Sequence, residues 1–267
     1  MFFYHLMVSL GVWVFMVSDA MAGAWNLSAQ SGQIISTTLY DTASKAYDND
    51  GDLIGGVAFE KTESQIFWEH GLTQRLTWIS QAGLQNVNYT ALDGQTQVNG
   101  LADTKVGVRA EIFRSPQWVL SVQPSFIIAG EGENIPDADL GNGGNNIELR
   151  ALVGRSFTIA DKPGFLDVQT AVNLRSNQEP NQWRIDASAG IRAIDPILVI
   201  GQVFYADNGG RFDNRDIILP NRSLKLQGSF VYQWSEKTSL QLGAFQTVAG
   251  KNIVREQAVF AAIWRRY

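Results

Sequence analysis

The chain has 267 residues, of which 45% are hydrophobic and 18% charged, and its formal net charge is −5. It has no cysteine, which excludes disulfides, thiolate metal sites and cysteine nucleophiles. Mean hydropathy is −0.08, and beyond the N-terminus no apolar run approaches the roughly 18 to 20 residues of a spanning helix; no basic stripe tracks a phosphate backbone, so nucleic acid is not an expected partner.

Residues 2–17 are almost wholly apolar, and Ala20-Met21-Ala22 places small residues at the two positions that a signal peptidase reads. The pattern predicts a signal peptide over 1–22 and a single domain over 23–267, although its N-terminal region has no Lys or Arg and only His5 to add charge to the terminal amine. An uncleaved anchor helix is the alternative.

The remainder alternates apolar with polar residues. Strands are predicted near 33–41, 57–69, 73–89, 102–114, 117–129, 146–158, 165–176, 182–193, 196–206, 221–234, 238–248 and 253–267. The fifth is the cleanest: Trp118, Leu120, Val122, Pro124, Phe126 and Ile128 fall on one face, and Ser121, Gln123 and Ser125 on the other. That is the period of a strand, and a transmembrane strand needs about 9 to 11 residues.

Connections alternate in length along the chain. Short turns are predicted at Gly71-Leu72-Thr73, Arg114-Ser115-Pro116, Asp161-Lys162-Pro163-Gly164, Asp195-Pro196 and Ser235-Glu236-Lys237-Thr238. Longer loops are expected over 42–56, 91–101, 130–145, 176–181, 206–220 and 250–252. The fold class this implies is all-β, an antiparallel transmembrane β-barrel of about 12 strands, with short periplasmic turns and longer extracellular loops. Its place is the outer membrane of a Gram-negative cell. Outer-membrane lipid and lipopolysaccharide are then partners, and Tyr267 at the chain end suits recognition by the barrel-assembly machinery.

Aromatic residues concentrate at the predicted strand ends. Phe67, Trp68, Trp118, Phe157, Phe165, Tyr232, Trp234, Trp264 and Tyr267 are expected to form a periplasmic girdle; Tyr40, Phe59, Tyr89, Phe126, Trp183, Phe204 and Tyr205 an outer one.

The same alternation selects the residues that face the lumen. Opposite the lipid-facing Val106, Val108, Ala110 and Ile112 stand Lys105, Arg109 and Glu111; opposite Ile147, Leu149, Ala151 and Val153 stand Glu148 and Arg150; Arg184 and Asp186 follow on the eighth predicted strand. A Lys or Arg facing lipid near the midplane costs about 2 to 4 kcal/mol, which drives these residues inward. Two readings of this lumen are open. Lys105, Arg109, Glu111, Glu148, Arg150, Arg184 and Asp186 either contact a small solute along a hydrated path, or pair across the interior and plug it. The mixed signs do not suit a strongly ion-selective pore.

Other chemistry has little support. His70 is the one histidine past the leader, it sits beside a periplasmic turn, and no G-x-S-x-G motif is present. A lipid hydrolase is the third reading, after a channel and a closed structural or adhesive barrel. Asp48-Asn49-Asp50-Gly51-Asp52 spaces oxygens as half an EF-hand does but lacks the glycine at loop position six and the closing glutamate. With Glu131, Glu133, Asp137 and Asp139 it is read as a solvated acidic loop that bridges through divalent ions to anionic headgroups. No resident metal, cofactor or catalytic residue is expected.

Phe67-Trp68-Glu69-His70-Gly71-Leu72-Thr73-Gln74-Arg75-Leu76, followed by Gly100-Leu101-Ala102-Asp103-Thr104-Lys105-Val106-Gly107-Val108-Arg109, resembles the "Y-G-L-T-D-R-L … G-L-G-D-T-x-L-G-L-K-Y" pattern of the meta-pathway phenol-degradation family. The ending Trp264-Arg265-Arg266-Tyr267 is similar to that family's "Y-R-F". His70, Gln74 and Ala102 depart from the pattern. The resemblance implies an outer-membrane transporter for a small, often hydrophobic or aromatic solute.

Overall fold

A computed structural model describes residues 23–91, 94–130, 144–176, 180–212 and 217–267. The signal-peptide expectation over 1–22, and the acidic residues Glu131, Glu133, Asp137 and Asp139, lie outside them. The wall begins with β1 (Gly32–Tyr47), β2 (Leu53–Gly71), β3 (Leu76–Ala91), β4 (Gly94–Leu101), β5 (Thr104–Arg114), β6 (Trp118–Ile128), β7 (Asn146–Ile159) and β8 (Lys162–Arg175). It continues through β9 (Gln182–Ile194), β10 (Ile197–Asn208), β13 (Asn221–Gln233), β14 (Thr238–Lys251), β15 (Ile253–Val254) and β16 (Gln257–Arg266); β11 (Arg211–Phe212) and β12 (Ile217–Ile218) form a small separate hairpin.

Every wall strand pairs antiparallel with its neighbours, and β1 closes the ring by pairing with both β2 and β16. Leu39 is opposite Glu63 on one side and Phe260 on the other. Because β4–β5 and β15–β16 each act as one interrupted staircase of strand, the ring is a closed 12-strand barrel. Closure removes the unpaired edges that lipid would not tolerate.

The two faces separate by parity. Outward residues such as Val122 (38%), Leu149 (49%), Val168 (50%), Ile185 (50%) and Leu226 (47%) are exposed, whereas the inward Ser121, Gln123, Glu148, Arg150, Asp167, Gln169 and Asp186 are buried. In water such an apolar exterior would be unfavourable by roughly 25 cal/mol per Å². Acyl chains are the solvent that it fits.

Three expectations need correction. Residues 42–56 are mostly strand, since β1 runs on to Tyr47 and β2 starts at Leu53, leaving a short turn at 48–52 in which the Asp48 carboxylate accepts from the amides of Asp50 (2.9 Å) and Asp52 (2.8 Å). Residues 94–101 are not loop but β4, paired with β3 from Leu84↔Leu101 to Ala91↔Gly94; this hairpin projects past the wall, where a polar sequence meets no lipid. The aromatic girdles keep only half of their members. Trp68, Trp118, Tyr232, Trp234, Tyr267, Tyr40, Phe126 and Trp183 are exposed, but Phe67, Trp264, Phe59, Tyr89 and Phe204 are buried and Phe165 packs against the inner cluster that holds Phe67. Phe67 and Trp68 are consecutive, so one must point in when the other points out.

Candidate functional site

The barrel interior is layered. At the short-turn end Ile35, Phe67, Ile79, Ile200, Val231 and Trp264 meet Phe165 and Leu198 from the facing strands, forming an apolar floor. Above it lies a belt of charge. The Arg150 guanidinium donates to Glu148 through Nε (3.1 Å) and Nη2 (3.2 Å), and through Nη1 to Asp186 (2.7 Å) and Gln169 (2.7 Å). Lys105 Nζ is 3.4 Å from the same Glu148, and Arg184 Nη2 is 3.8 Å from Asp186. Five of the seven residues singled out from the sequence thus share one connected ion-pair network on β5, β7 and β9.

Arg109 belongs to a second group. Its Nη2 donates to Glu69 (2.5 Å), its Nε to Gln123 (3.4 Å), and its Nη1 to the main-chain carbonyl of Trp25 (2.7 Å). Glu111 stands apart, paired with Arg114 at the short-turn mouth. All seven are on the inner face: Lys105, Arg109, Glu148, Arg150 and Asp186 are at most 3% exposed, Arg184 7% and Glu111 8%. Charges held at such exposure survive only when paired and hydrogen-bonded, and the lumen at this depth is packed.

The contact from Arg109 to Trp25 reveals what the sequence reading missed: ahead of β1, residues 23–27 run inside the barrel and residues 28–30, exposed, lead out to the wall. The Ala24 amide donates to Asp167 Oδ2 (2.7 Å), its carbonyl accepts from Ser121 Oγ (2.6 Å), and the Leu27 amide donates to Thr77 Oγ1 (3.1 Å). Ala24 and Trp25 pack with Val119 and Leu152, and the indole meets Phe165 edge-on at 6.1 Å. Two glycines make the room. A Cβ on Gly154 would stand 2.7 Å from the Trp25 ring, and one on Gly71 would stand 2.0 Å from the Ser28 carbonyl oxygen. A signal for this segment exists in the chain: Val119, Leu152 and Phe165 are large apolar residues at inward positions.

A further group of charges lies toward the long-loop end, on strands where the alternation is hidden because outward Thr62 and Ser64 are themselves polar. There Lys61 pairs with Glu63 and Lys225 Nζ with Glu256 (2.5 Å), beside the buried Asp41. His70 is at the opposite end, its Nδ1 3.1 Å from the Tyr267 hydroxyl, which also accepts from Trp68 Nε1 (2.9 Å). These partners make it part of a terminal clasp.

In backbone the chain is similar to an outer membrane channel from Pseudomonas putida F1, with a TM-score of 0.70 at 12% identity over 92% of this chain and 98% of that one. It is similar to the translocator domain of the autotransporter NalP from Neisseria meningitidis, with a TM-score of 0.58 at 10% identity over 94% and 92% of the two chains. The NanC porin follows at 0.51 and 10% identity over 86% and 98%. At these identities the likeness is one of fold. No family model matches the chain, and no curated protein does. The closed ring, its lipid-facing exterior and these neighbours define an outer-membrane β-barrel protein.

Proposed function

We propose that this barrel is a channel for passive passage of a small solute, held shut by its own N-terminal segment. The observation that carries the reading is the placement of residues 23–27: they are fastened to the inner wall by four hydrogen bonds, given to Asp167 and Thr77 and accepted from Ser121 and Arg109, and are not a strand of the wall. Residues 23–27 add nothing to the ring and can leave without opening it, while Gln30 and Ser31 stay bonded to Gly71 at the end of β2. The fold neighbour described as an outer membrane channel supports passage, and the motif resemblance to the phenol-degradation transporters supports a small hydrophobic or aromatic solute, with Lys105, Arg109, Glu148, Arg150, Arg184 and Asp186 as the polar groups that it would pass. Removal of residues 1–22 after Ala22 belongs to the same proposal, because it frees the segment at Gly23.

The second reading is a permanently closed structural barrel, favoured by the near-complete burial of the charged belt. Planar-bilayer recordings separate the two. The processed chain should give rare, brief openings, and a variant lacking residues 25–30 a steady conductance. A deletion variant that folds, as judged by its shifted gel migration before boiling, and yet stays electrically silent would establish the closed barrel.

A further inference from the structure

We infer that the outer wall carries a binding site for the phosphorylated headgroup of lipopolysaccharide, built from Lys45, Arg222, Lys251 and Arg255 at the long-loop end of four consecutive strands.

Two β-bulges create it. Along β1 the odd positions Gln33, Ile35, Thr37, Leu39, Asp41 and Ala43 are buried, so Lys45 would also point inward if the strand were regular. The register shifts between Ala43 and Lys45, after which Ala46 is buried and Lys45 exposed. Along β14 Ser239, Gln241, Phe245 and Thr247 are likewise buried. Lys225 faces Thr247 but Leu224 faces Ala249, so Val248 is the extra residue and Lys251 emerges opposite Arg222 on the outer face. A bulge re-aims the side chains that follow it, and here both deliver a lysine to the exterior that parity would have buried.

Arg255 completes the row between them. Its neighbour Glu256 is buried, its amide donates to the Lys45 carbonyl (2.8 Å), and, with the Gln246 amide oxygen turned toward the guanidinium, Nε and Nη2 donate to it at 3.2 and 2.5 Å. Arg222 is the one member matched by an acid: Asp207 Oδ2 accepts from its Nε (2.9 Å) and Nη2 (2.7 Å) and from the Tyr205 hydroxyl (3.0 Å). Among the described residues no carboxylate is within ion-pair distance of Lys45, Lys251 or Arg255. The other acids of this region are Asp48, Asp50 and Asp52 in the β1–β2 turn, where the Asp48 carboxylate is taken up by main-chain amides of that turn, and exposed Glu60 on β2.

Arg222 and Lys251 also line a cavity of about 450 Å³ with Asn49, Asp50, Asp207, Leu219 and Pro220. Buried Asn252 ties two of these lining residues together, donating to Asn49 Oδ1 (3.2 Å) and to the Pro220 carbonyl (2.8 Å). Below them the outward face includes Leu226 (47% exposed) on β13, Val248 (40%) on β14 and Val259 (59%) on β16, with Tyr40 (46%) between threonines on β1. Cations immediately above a lipid-facing belt sit at the height of the outer-leaflet headgroups, and guanidinium and ammonium groups together suit phosphate. The occupant with matching charge at that height is the phosphorylated glucosamine disaccharide of the surrounding lipid.

Native mass spectrometry in detergent, with lipid A as the probe, tests this. A Lys45→Gln, Lys251→Gln, Arg255→Gln triple variant should bind bisphosphorylated lipid A at least tenfold more weakly than the unaltered chain, and lipid A stripped of phosphate should bind both alike and weakly. A control triple at the opposite end, Arg75→Gln, Lys162→Gln and Lys237→Gln, should bind bisphosphorylated lipid A as the unaltered chain does. Equal affinity of the first triple and the unaltered chain, an equal loss in both triples, or indifference to phosphate removal would each overturn the assignment. If the first triple fails to fold, Lys251→Gln alone should still lose affinity severalfold, and its failure to do so has the same force. None of these outcomes depends on whether the lumen conducts.

Discussion

Arg109 holds the main-chain carbonyl of Trp25 at 2.7 Å while its other guanidinium nitrogen holds Glu69 at 2.5 Å. One side chain of β5 thereby joins the barrel wall on β2 to a segment that is not part of the wall.

Removing that cation leaves the Glu69 carboxylate buried without its partner. Arg109→Met should destabilise the barrel by about 3 to 5 kcal/mol, and adding Glu69→Met should restore most of the loss, because a buried pair contributes little net stability whereas half of one is costly. Guanidinium unfolding in lipid vesicles measures both. A double variant as unstable as the single one would show that Glu69 is not the group left stranded.

Gly154 clears the space that the Trp25 indole fills. Gly154→Val should expel the ring and raise the open fraction in bilayer recordings, whereas Gly201→Val, at a site where a Cβ meets nothing, should leave it unchanged. Identical records from the two variants would remove Trp25 from any role in closure.

The seam of the barrel is tied by its last residue. Tyr267 exchanges main-chain hydrogen bonds with Gly32 (3.1 and 3.2 Å), and its hydroxyl bonds to Trp68 and His70. Tyr267→Phe keeps the ring and deletes those two side-chain contacts, so it should cost about 1 kcal/mol. An unchanged unfolding midpoint would mean that the main-chain bonds and the ring fasten the seam without the hydroxyl.

Val153 is 39% exposed, and its cross-strand partners Leu120 and Val168 also face outward. Val153→Arg should cost about 2 to 4 kcal/mol in vesicles, the expense of a cation among acyl chains near the midplane. A loss below about 1 kcal/mol would place this face in water.

The wall is legible in the chain wherever lipid enforces parity, as on β6, where each second residue from Trp118 to Ile128 is apolar. Legibility fails where the outside is not hydrocarbon. β4 reads as loop because its residues project above the membrane, and Lys61 and Glu63 on β2 are concealed by polar neighbours. It also fails where a bulge inverts the pattern: Ile112 and Phe113 are both exposed, at 55% and 54%, because the β5–β6 register shifts between Glu111 and Phe113. The charged belt follows from alternation, but its pairing does not, since Arg150 and Asp186 meet across two strands. Residues 23–31 form no regular element and so have no period to read. Their trace is on the receiving side, in Val119, Leu152 and Phe165.

β4 pairs with β3 and, among the described residues, with nothing on its other side. A row of main-chain donors and acceptors therefore stands open to the medium above the barrel, the kind of border on which a second polypeptide can template itself. Gln95, Gln97, Asn99 and Leu101 are exposed along it, and Val98 is turned in. With no apolar stripe to reward stacking, this border is satisfied by water, and the ring below it keeps the chain's self-complementary pairing to itself.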